Sequence, residues 1–230
     1  MPGDRRLFWR QFRSQFHTTG AVAPSSRWLA KELCRYAPPP TAGAPPRRWL
    51  EAGPGSGSVT DRLIRRLGPA DRLDLVEINA AFVATLQERL ATAPHWRAVA
   101  PRVRVFHQPL EDFAPEAPYD AVVAGLPLNN FTVGEVAAVL QRFADLLTPG
   151  GSASYFEYLA VRWLKIRVGA KQARPRLIEL DRFLRPTLSE VSFDRRRVWW
   201  NLPPAVVHHC RFPAGWRACM DGPPAPSDLT

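Results

Sequence analysis

The middle of the chain alternates between short apolar runs and segments with helical spacing. Runs typical of buried strands occupy residues 48–52, 72–76, 102–106, 119–124 and 152–158. Between them, residues 80–90 repeat apolar side chains at the three- and four-residue spacing of a helix. Thr132 and Glu135 form a capping box that begins a helix ending near Leu147. This alternation predicts an α/β domain built on a parallel sheet.

Two helices and a stiff connector are predicted before this core. Residues 4–16 have an amphipathic pattern, and residues 26–36 have a second helical pattern with Ser25 or Ser26 as its N-cap. Residues 37–46 contain five prolines and a glycine, which suit neither a helix nor a central strand. This segment is therefore expected to cross the surface and lead into the first core strand.

The C-terminal part of the chain predicts a strand pair. Residues 198–200 and 205–212 flank the turn sequence Asn-Leu-Pro-Pro and are expected to pair antiparallel at one edge of the sheet. The chain is accordingly divided into N-terminal helices with their connector (1–46), a core domain (47–221) and a flexible tail (222–230).

Three glycines follow the first strand, where the chain is expected to enter a helix near Ser58. Gly53, Gly55 and Gly57 stand at alternate positions after Glu51. Glycines at such a junction let a ligand approach the backbone at a helix N-terminus. The dinucleotide fingerprint needs its third glycine one residue later, where Ser58 stands. The spacing therefore argues against NAD or FAD.

A second acidic residue, Glu77, ends the next strand and lies 20 residues after Gly57. At about this spacing a carboxylate can receive ribose hydroxyls, so the pair indicates a nucleoside-bearing cofactor without a pyrophosphate. Glu51 could be a solvated charge, but its place before the glycines favours ordering the loop or binding the cofactor. Together these residues resemble motifs I and II of class I S-adenosylmethionine-dependent methyltransferases.

The segment after the fourth strand bears on the substrate. Gly125-Leu-Pro-Leu128 resembles the Asn-Leu-Pro-Tyr motif of the rRNA adenine dimethyltransferase family, with glycine for the asparagine and leucine for the aromatic residue. A flipped base needs an amide oxygen for its amino group and an aromatic plane for stacking. An aliphatic amine needs neither, because a deprotonated amine is already a nucleophile that has only to be positioned.

Composition restricts the partners and the compartment. The net charge of +10, with a pI near 10.5, calls for an anionic partner, either nucleic acid or an anionic membrane surface. The sequence contains neither an apolar stretch long enough to span a bilayer nor a secretory signal, so a cytoplasmic location is expected. Cys34, Cys210 and Cys219 form no Cys-x-x-Cys pair. We therefore expect neither a disulfide framework nor a metal site.

The first helix suits a membrane surface. Phe8, Trp9, Phe12 and Phe16 fall within roughly 100° of one another on a helical wheel, beside a sector that holds Arg6, Arg10 and Arg13. Aromatic side chains beside arginines are typical of a headgroup boundary. Further cationic side chains between residues 162 and 185 also suit a membrane surface. Packing of the aromatic side chains onto the core is the alternative, and both can hold.

A specific family resemblance emerges from four segments together. They are residues 16–26, the glycine motif, Gly125-Leu-Pro-Leu128, and Tyr155-Phe-Glu-Tyr158 with Arg162. In combination they resemble the bacterial phospholipid N-methyltransferases of the Rhodobacter type. The resemblance implies a Rossmann-like class I methyltransferase fold with a mostly parallel seven-stranded sheet and an antiparallel C-terminal strand pair. It also implies S-adenosylmethionine as cofactor and peripheral attachment to the inner face of the cell membrane through the N-terminal helix.

The resemblance and the strand ends together assign site residues. The cofactor is expected on Glu51, Gly53, Gly55, Gly57, Glu77 and Ile78, its adenine on Leu110 with Glu111 or Asp112, and its methyl group near Gly125 and Leu126. Thr19 would close the pocket, and Arg162 or Lys165 would pair with the lipid phosphate. Tyr158 is the expected catalytic and substrate contact, because a phenol offers an acceptor and a π face to a methylated ammonium. Tyr155 points to the opposite strand face and is a weaker candidate.

The proton acceptor stays unidentified at the sequence level. A substrate ammonium must lose a proton before each transfer, and histidines are natural candidates. His208 and His209 are neighbours on a strand and therefore face opposite sides, so they cannot hold one ligand together. A structural or surface role is expected for both, and His17 is the main exception.

The leading functional hypothesis is a peripheral membrane enzyme that methylates the amine of phosphatidylethanolamine and its methylated derivatives, towards phosphatidylcholine. An RNA adenine N-methyltransferase is the alternative, which the basic charge permits and Gly125 and Leu128 disfavour. A third hypothesis is a noncatalytic lipid- or nucleic-acid-binding module, against which the intact glycines and acidic residues speak. Oligomeric state, and the number of methyl groups added, do not follow from the sequence.

Overall fold

The computed structural model describes residues 25–39, 43–128, 131–159 and 173–218. The helices of these ranges are α1 (Arg27–Leu33), α2 (Thr60–Ile64), α3 (Ala80–Thr92), α4 (Pro94–Arg97), α5 (Val133–Leu146) and α6 (Ala173–Val191), with a 3₁₀ turn at Ala100–Arg102. The strands are β1 (Arg48–Ala52), β2 (Arg72–Glu77), β3 (Val103–His107), β4 (Tyr119–Pro127), β5 (Leu147–Tyr158), β6 (Ser192–Val198) and β7 (Ala205–Cys210).

The strands form one seven-stranded sheet in the order β3-β2-β1-β4-β5-β7-β6. The first five strands are parallel, and β7 runs antiparallel to both of its neighbours. This confirms the predicted sheet and its antiparallel C-terminal pair, but the predicted bounds 198–200 are wrong: β6 ends at Val198, and Trp199 and Trp200 lie in the turn that follows it. The strand order reverses between β1 and β4, and in open α/β sheets ligands bind at the carboxyl ends of the strands beside such a reversal.

Side chains alternate between two covered faces of the sheet. One face packs under α5 and α6, which we call the α5/α6 face; it contains Leu50, Val122, Leu140, Tyr155 and Phe183. The other, the α1/α2 face, packs under α1, α2 and α3. Both faces of the central strands are therefore buried, as a parallel sheet requires.

Several elements begin and end where the sequence predicts. β1 has the predicted bounds, and Ser26 caps α1 by accepting a hydrogen bond from the backbone N–H of Leu29 at 3.2 Å. The capping box of Thr132 and Glu135 is formed in both directions. The first predicted helix, residues 4–16, and the predicted tail lie outside the described residues.

Helix α6 was missed by the pattern. Its 19 residues include Pro186 within the helix, and the sequence of this region predicts only a charged surface. Leu180, Phe183 and Leu184 are nevertheless buried against the α5/α6 face. Tertiary burial of one apolar stripe stabilises a helix that its own sequence specifies weakly.

The β6–β7 turn lies at the carboxyl edge of the parallel strands. Tyr158 at the end of β5, Ala205 at the start of β7 and Val198 at the end of β6 occupy one rung of the sheet. The backbone N–H of Leu159 donates to the carbonyl of Pro204 at 2.8 Å. The turn of residues 199–204 is therefore at the same edge as the glycine loop that follows β1.

Candidate functional site

The glycine loop is tied to β2 by Glu77. One carboxylate oxygen of Glu77 accepts a hydrogen bond from the backbone N–H of Gly55 at 3.0 Å, and the other accepts from Asn79 at 2.8 Å. Gly55 has a φ of +56°, and a Cβ added there would meet nothing within 4 Å. The loop thus leaves open space above a backbone conformation that favours glycine. Burial raises the pKa of Glu77, although its backbone hydrogen bonds act in the opposite direction.

Glu51 is fully buried beneath this loop. Its Oε2 accepts a hydrogen bond from the Thr60 hydroxyl at 2.7 Å, whereas its Oε1 has no hydrogen-bond partner. Burial is the main cause that raises the pKa of Glu51 to about 8, and the nearby Glu77 adds to the shift. The alternative of a solvated strand-end charge is therefore wrong. A buried carboxyl group with an unused oxygen can pair with a cationic group of a ligand.

The loop after β1 contacts β4 through two glycines, Gly53 and Gly125. A Cβ added at Gly125 would lie 2.4 Å from the carbonyl oxygen of Gly53, and one added at Gly53 would lie 2.5 Å from the Leu126 side chain. Neither position tolerates a larger residue without movement of the backbone or of Leu126. Packing against the Gly53 carbonyl thus favours glycine at position 125 of this chain, where adenine methyltransferases carry asparagine.

The remaining predicted cofactor residues lie along the same edge. Gly57 packs under Trp96, with 2.7 Å between its added Cβ and the ring. The carbonyl of Ile78 lies 3.1 Å from His107 Nε2. Leu110 is buried in the α5/α6 face, and its carbonyl accepts a hydrogen bond from Arg142 Nε at 3.2 Å. Contact between Leu110 and a ligand would therefore involve its backbone.

The end of β5 separates its polar residues between the two faces of the sheet. Tyr155 lies on the α5/α6 face, where its ring stacks on His208 at 5.2 Å between centroids. Tyr158 lies on the α1/α2 face and is mostly buried, with its ring 5.1 Å from that of Phe156. The prediction that Tyr155 and Tyr158 point to opposite faces is confirmed. The catalytic role expected for Tyr158 stays a prediction.

A buried carboxylate–imidazole pair lies on the α5/α6 face of β5 and β7. Glu157 Oε1 is 3.8 Å from His208 Nε2, and both side chains are buried. Pro127 of β4 pairs with Phe156 of β5, so Glu157 is one residue beyond this rung, beside the end of β4. The pair therefore borders the segment expected to lie near the transferred methyl group.

Glu157 belongs to the segment Tyr155-Phe-Glu-Tyr158 that carries the family resemblance, but the sequence assigns it no role. The signal that could have found the pair is the antiparallel register, which sets Tyr155 opposite His208. His209 is on the other face, where its Nδ1 lies 2.8 Å from the Ser154 hydroxyl oxygen, and burial lowers its pKa to about 4. His208 and His209 face opposite sides, as predicted.

Several predicted residues fall outside the described part of the chain: Phe8, Trp9, Arg10, Phe12, Arg13, Phe16, Thr19, Arg162 and Lys165. The described residues that flank their segments are informative. Ser26 donates its backbone N–H to Asn201 Oδ1 at 3.1 Å, and Leu159 is bonded to Pro204. Both segments therefore join the described structure at the carboxyl edge of the sheet.

Two kinds of feature are absent from the described residues. Among them, no helix combines the length and apolarity needed to cross a bilayer. The same residues contain no group of three or more His, Cys, Asp or Glu side chains arranged to hold a metal ion.

Comparison with known proteins identifies this site. Residues 50–153, from β1 through the glycine loop to β5, match the family model of the methyltransferase domain. The O-methyltransferase TomG from Streptomyces achromogenes, solved with its cofactor, superposes with a TM-score of 0.57 at 18% identity over 85% of each chain. The chain therefore contains a methyltransferase domain with the class I fold. The methyltransferase also shares its fold with the glycopeptide N-methyltransferase MtfA bound to sinefungin (TM-score 0.60, 15% identity, 84% of this chain and 89% of that one).

Two curated proteins are similar to the methyltransferase in sequence. An ornithine lipid N-methyltransferase from Singulisphaera acidiphila is 28% identical over 210 residues, which cover 90% of this chain and 96% of that protein. A malonyl-[acyl-carrier protein] O-methyltransferase from Ilyobacter polytropus is 21% identical over 150 residues, or 65% of this chain and 52% of that protein. Similarity to the lipid-modifying enzyme thus extends well beyond the matched domain.

The residues present fit S-adenosylmethionine, the cofactor of the methyltransferase. The unused buried oxygen of Glu51 suits the ammonium of its methionine part. Glu77 has its two backbone hydrogen bonds and retains lone pairs for ribose hydroxyls. The open space over Gly55 lets the ligand lie against the backbone.

Proposed function

We propose that this methyltransferase N-methylates the primary amine of a membrane lipid. The observation that carries the proposal is the Gly53–Gly125 contact, which leaves no room at position 125 for the amide side chain that would hold a base. Similarity to an ornithine lipid N-methyltransferase over nearly the whole of both chains supports a lipid substrate. The enzyme would then work at the inner face of the cell membrane.

For methyl transfer to an amine, the main task of the protein is to position the two reactants. When bound, S-adenosylmethionine supplies a sulfonium-linked methyl group, which passes to the amine nitrogen as the carbon–sulfur bond breaks. The chain has to place a neutral amine in line with that methyl group and keep competing water away. The end of β4, with the buried Leu126 and Leu128, provides an apolar wall for the reacting centre.

The substrate amine must give up a proton, and Glu157 with His208 is suited to receive it. The pair lies 3.8 Å apart at the strand end next to β4. A carboxylate near an imidazole stabilises the imidazolium that forms when the ring accepts a proton. The proton can then pass to water at the carboxyl edge. Tyr158 remains the proposed contact for the methylated ammonium from the opposite face.

Two lipid headgroups are supported by different observations. The sequence motifs resemble enzymes that methylate phosphatidylethanolamine, whereas the relative with near-complete coverage acts on ornithine lipid. The headgroups differ in their anionic group, and only phosphatidylethanolamine carries a phosphate for Arg162 or Lys165. Ornithine lipid is the first substrate to test, and phosphatidylethanolamine the second.

The proposal is tested with labelled S-adenosylmethionine and three acceptors. They are phosphatidylglycerol vesicles containing ornithine lipid, the same vesicles containing phosphatidylethanolamine, and total RNA. We expect label in the extracted lipid, with a mass-resolved product series that counts the methyl groups. The proposal would be overturned if label appeared only in RNA. It would also be overturned if no acceptor were labelled although calorimetry registered cofactor binding.

The proton-accepting pair is tested with Glu157→Gln. Removing general base catalysis is expected to lower kcat about 100-fold with cofactor affinity unchanged, because Glu157 lies away from the glycine loop. Glu190→Gln, a change of an exposed acid in α6, serves as the control. Unaltered kcat in Glu157→Gln would exclude the pair from proton transfer.

A further inference from the structure

The turn between β6 and β7 carries the most exposed large apolar side chains of the described residues. Trp199, Trp200 and Leu202 are 63%, 81% and 87% exposed. Single exposed apolar residues are ordinary on protein surfaces, but three within four positions form a patch with a functional implication. We call residues 199–204 the hairpin tip.

The hairpin tip is held in place rather than left as a loose loop. Asn201, between the two tryptophans and Leu202, is buried; its Oδ1 accepts from the backbone N–H of Ser26 at 3.1 Å. Its Nδ2 donates to the carbonyl of Pro203 at 2.7 Å. Pro204 accepts from Leu159 at 2.8 Å. The fold thus fixes the turn to α1 and to β5, and the apolar side chains protrude from this support.

Cationic side chains surround the hairpin tip. Arg195, Arg196 and Arg197 are consecutive and exposed in β6, which leads into the tip. At the start of α1, next to Asn201, Arg27 and Trp28 are also exposed, with the guanidinium 4.9 Å from the ring centroid. Tryptophan beside arginine is the combination found at the headgroup level of bilayers, where the ring is amphipathic and the cation meets anionic lipid.

We propose that the hairpin tip inserts into the headgroup region of an anionic membrane. It projects from the carboxyl edge of the sheet, so insertion would turn the cofactor loop and the Glu157–His208 pair towards the bilayer. The segments 1–24 and 160–172 join the described structure at this same edge, through Ser26 and Leu159. A lipid amine would then reach the site without leaving the membrane surface.

The area of the patch favours a bilayer over a second copy of the chain. At the exposures given, the two tryptophans offer roughly 300 Å² of apolar surface. A stable dimer buries about 800 Å² on each partner. A small protruding tip is too limited for such an interface, but it suits shallow insertion with support from arginines.

Site-specific labelling of the full chain tests the insertion. Leu202→Cys carries an environment-sensitive fluorophore, with Cys219→Ser to remove competing labelling. Cys34 and Cys210 are buried, and their thiol pKa is raised to about 12, so they stay unlabelled. Glu116→Cys, an exposed site at the amino edge of the sheet, is the matched control. We expect phosphatidylglycerol vesicles with brominated acyl chains to quench the label at 202 and not at 116.

Replacement of the patch tests its energetic contribution. The triple variant Trp199→Ser, Trp200→Ser, Leu202→Ser should weaken vesicle partitioning about tenfold or more. Ile178→Ser, which removes an exposed apolar side chain from α6, should leave partitioning within twofold. The proposal would be overturned if the protein bound vesicles without quenching at position 202, or if both labels were quenched equally. It would also be overturned if the triple variant sedimented differently without vesicles in a way that reveals a lost dimer.

Only the delivery of a lipid amine to the active site rests on the proposed function. Membrane insertion of the hairpin tip and methylation of lipid can therefore fail separately. Quenching at position 202 in an enzyme that transfers no methyl to lipid would support insertion and contradict lipid methylation. Methyl transfer to detergent-dispersed lipid without quenching in vesicles would support lipid methylation and contradict insertion. If both hold, the triple variant should lose activity on vesicles and keep it on detergent-dispersed lipid.

Discussion

At the scale of single residues, Glu51 is the expected cofactor residue with the most unusual environment. Its carboxyl group is fully buried with one hydrogen bond, from Thr60. The enzyme without cofactor therefore favours the protonated form near neutral pH, because burial raises the pKa to about 8. A cationic ligand beside the free oxygen would reverse this preference. This carboxyl group is therefore expected to bind a cationic ligand group more favourably than a neutral one.

The stability of the cofactor-free enzyme should record this buried acid. Between the unfolded pKa near 4.5 and the folded value of about 8, the folded state holds an extra proton, so stability falls as pH rises. Glu51→Gln should flatten this dependence and raise the free energy of unfolding at pH 8, by a few kcal/mol at most. Urea titrations from pH 5 to pH 8 measure it. The raised pKa of Glu77 contributes a slope of the same sign that persists in the variant.

Glu116→Gln is the control for that experiment, because its side chain is 75% exposed. It should retain the pH dependence of the wild type. Glu51→Gln should also bind S-adenosylmethionine about tenfold more weakly, since an amide replaces a charge-assisted bond. An unchanged pH slope together with unchanged cofactor affinity would remove Glu51 from the site.

At the scale of elements, the enzyme depends on how closely the loop after β1 approaches β4. Gly125 and Gly53 meet without side chains, and Leu126 fills the space beside them. This contact sets the distance between the cofactor loop and the strand end that borders the substrate. It also shows why an asparagine motif cannot be grafted onto this chain.

Gly125→Asn is expected to separate the two elements. The added Cβ would lie 2.4 Å from the Gly53 carbonyl, and such overpacking should cost about 3 kcal/mol of stability. Gly55→Ala introduces strain at a positive φ without a clash, and should cost only about 1 kcal/mol. Thermal and urea unfolding of both variants gives the comparison. Equal losses would mean that close approach to the Gly53 carbonyl does not restrict position 125.

At the scale of the whole molecule, the +10 net charge and the apolar hairpin tip point to a surface that is both anionic and amphiphilic. The N-terminal segment enters the described structure beside that tip, through Ser26 and Asn201. If the N-terminal segment and the hairpin tip both bind one bilayer, as proposed, their contributions to the affinity should multiply.

Deletion of residues 1–16 should weaken vesicle binding and make the remaining binding less sensitive to salt, because arginines are removed with the aromatic side chains. Combination with the triple hairpin variant should reduce binding further than either change alone. Sedimentation with phosphatidylglycerol vesicles between about 0.05 and 0.5 M salt measures both effects. Full binding after the deletion would assign attachment to the described surface alone.

The sequence predicted the parallel sheet and its alternation of strands and helices, whereas the strand predicted at residues 198–200 proved to be the end of β6 and the start of a turn. β1 and the caps at Ser26 and Thr132 follow local rules that act over three or four residues. α6 was missed, because its apolar stripe becomes decisive only when the sheet is present to cover it. The Glu157–His208 pair was missed for a related reason, since its members are 51 positions apart and meet only through strand register.

By itself the sequence determined an α/β architecture, because periodicity specifies the elements, and its glycines and acids at fixed spacing resemble the cofactor motifs of class I methyltransferases. Only the tertiary structure decided that Glu51 is buried, that position 125 must be glycine, and that Trp199 and Trp200 protrude at the carboxyl edge. Burial, close approach and exposure depend on residues far apart in the chain, so no local pattern encodes them.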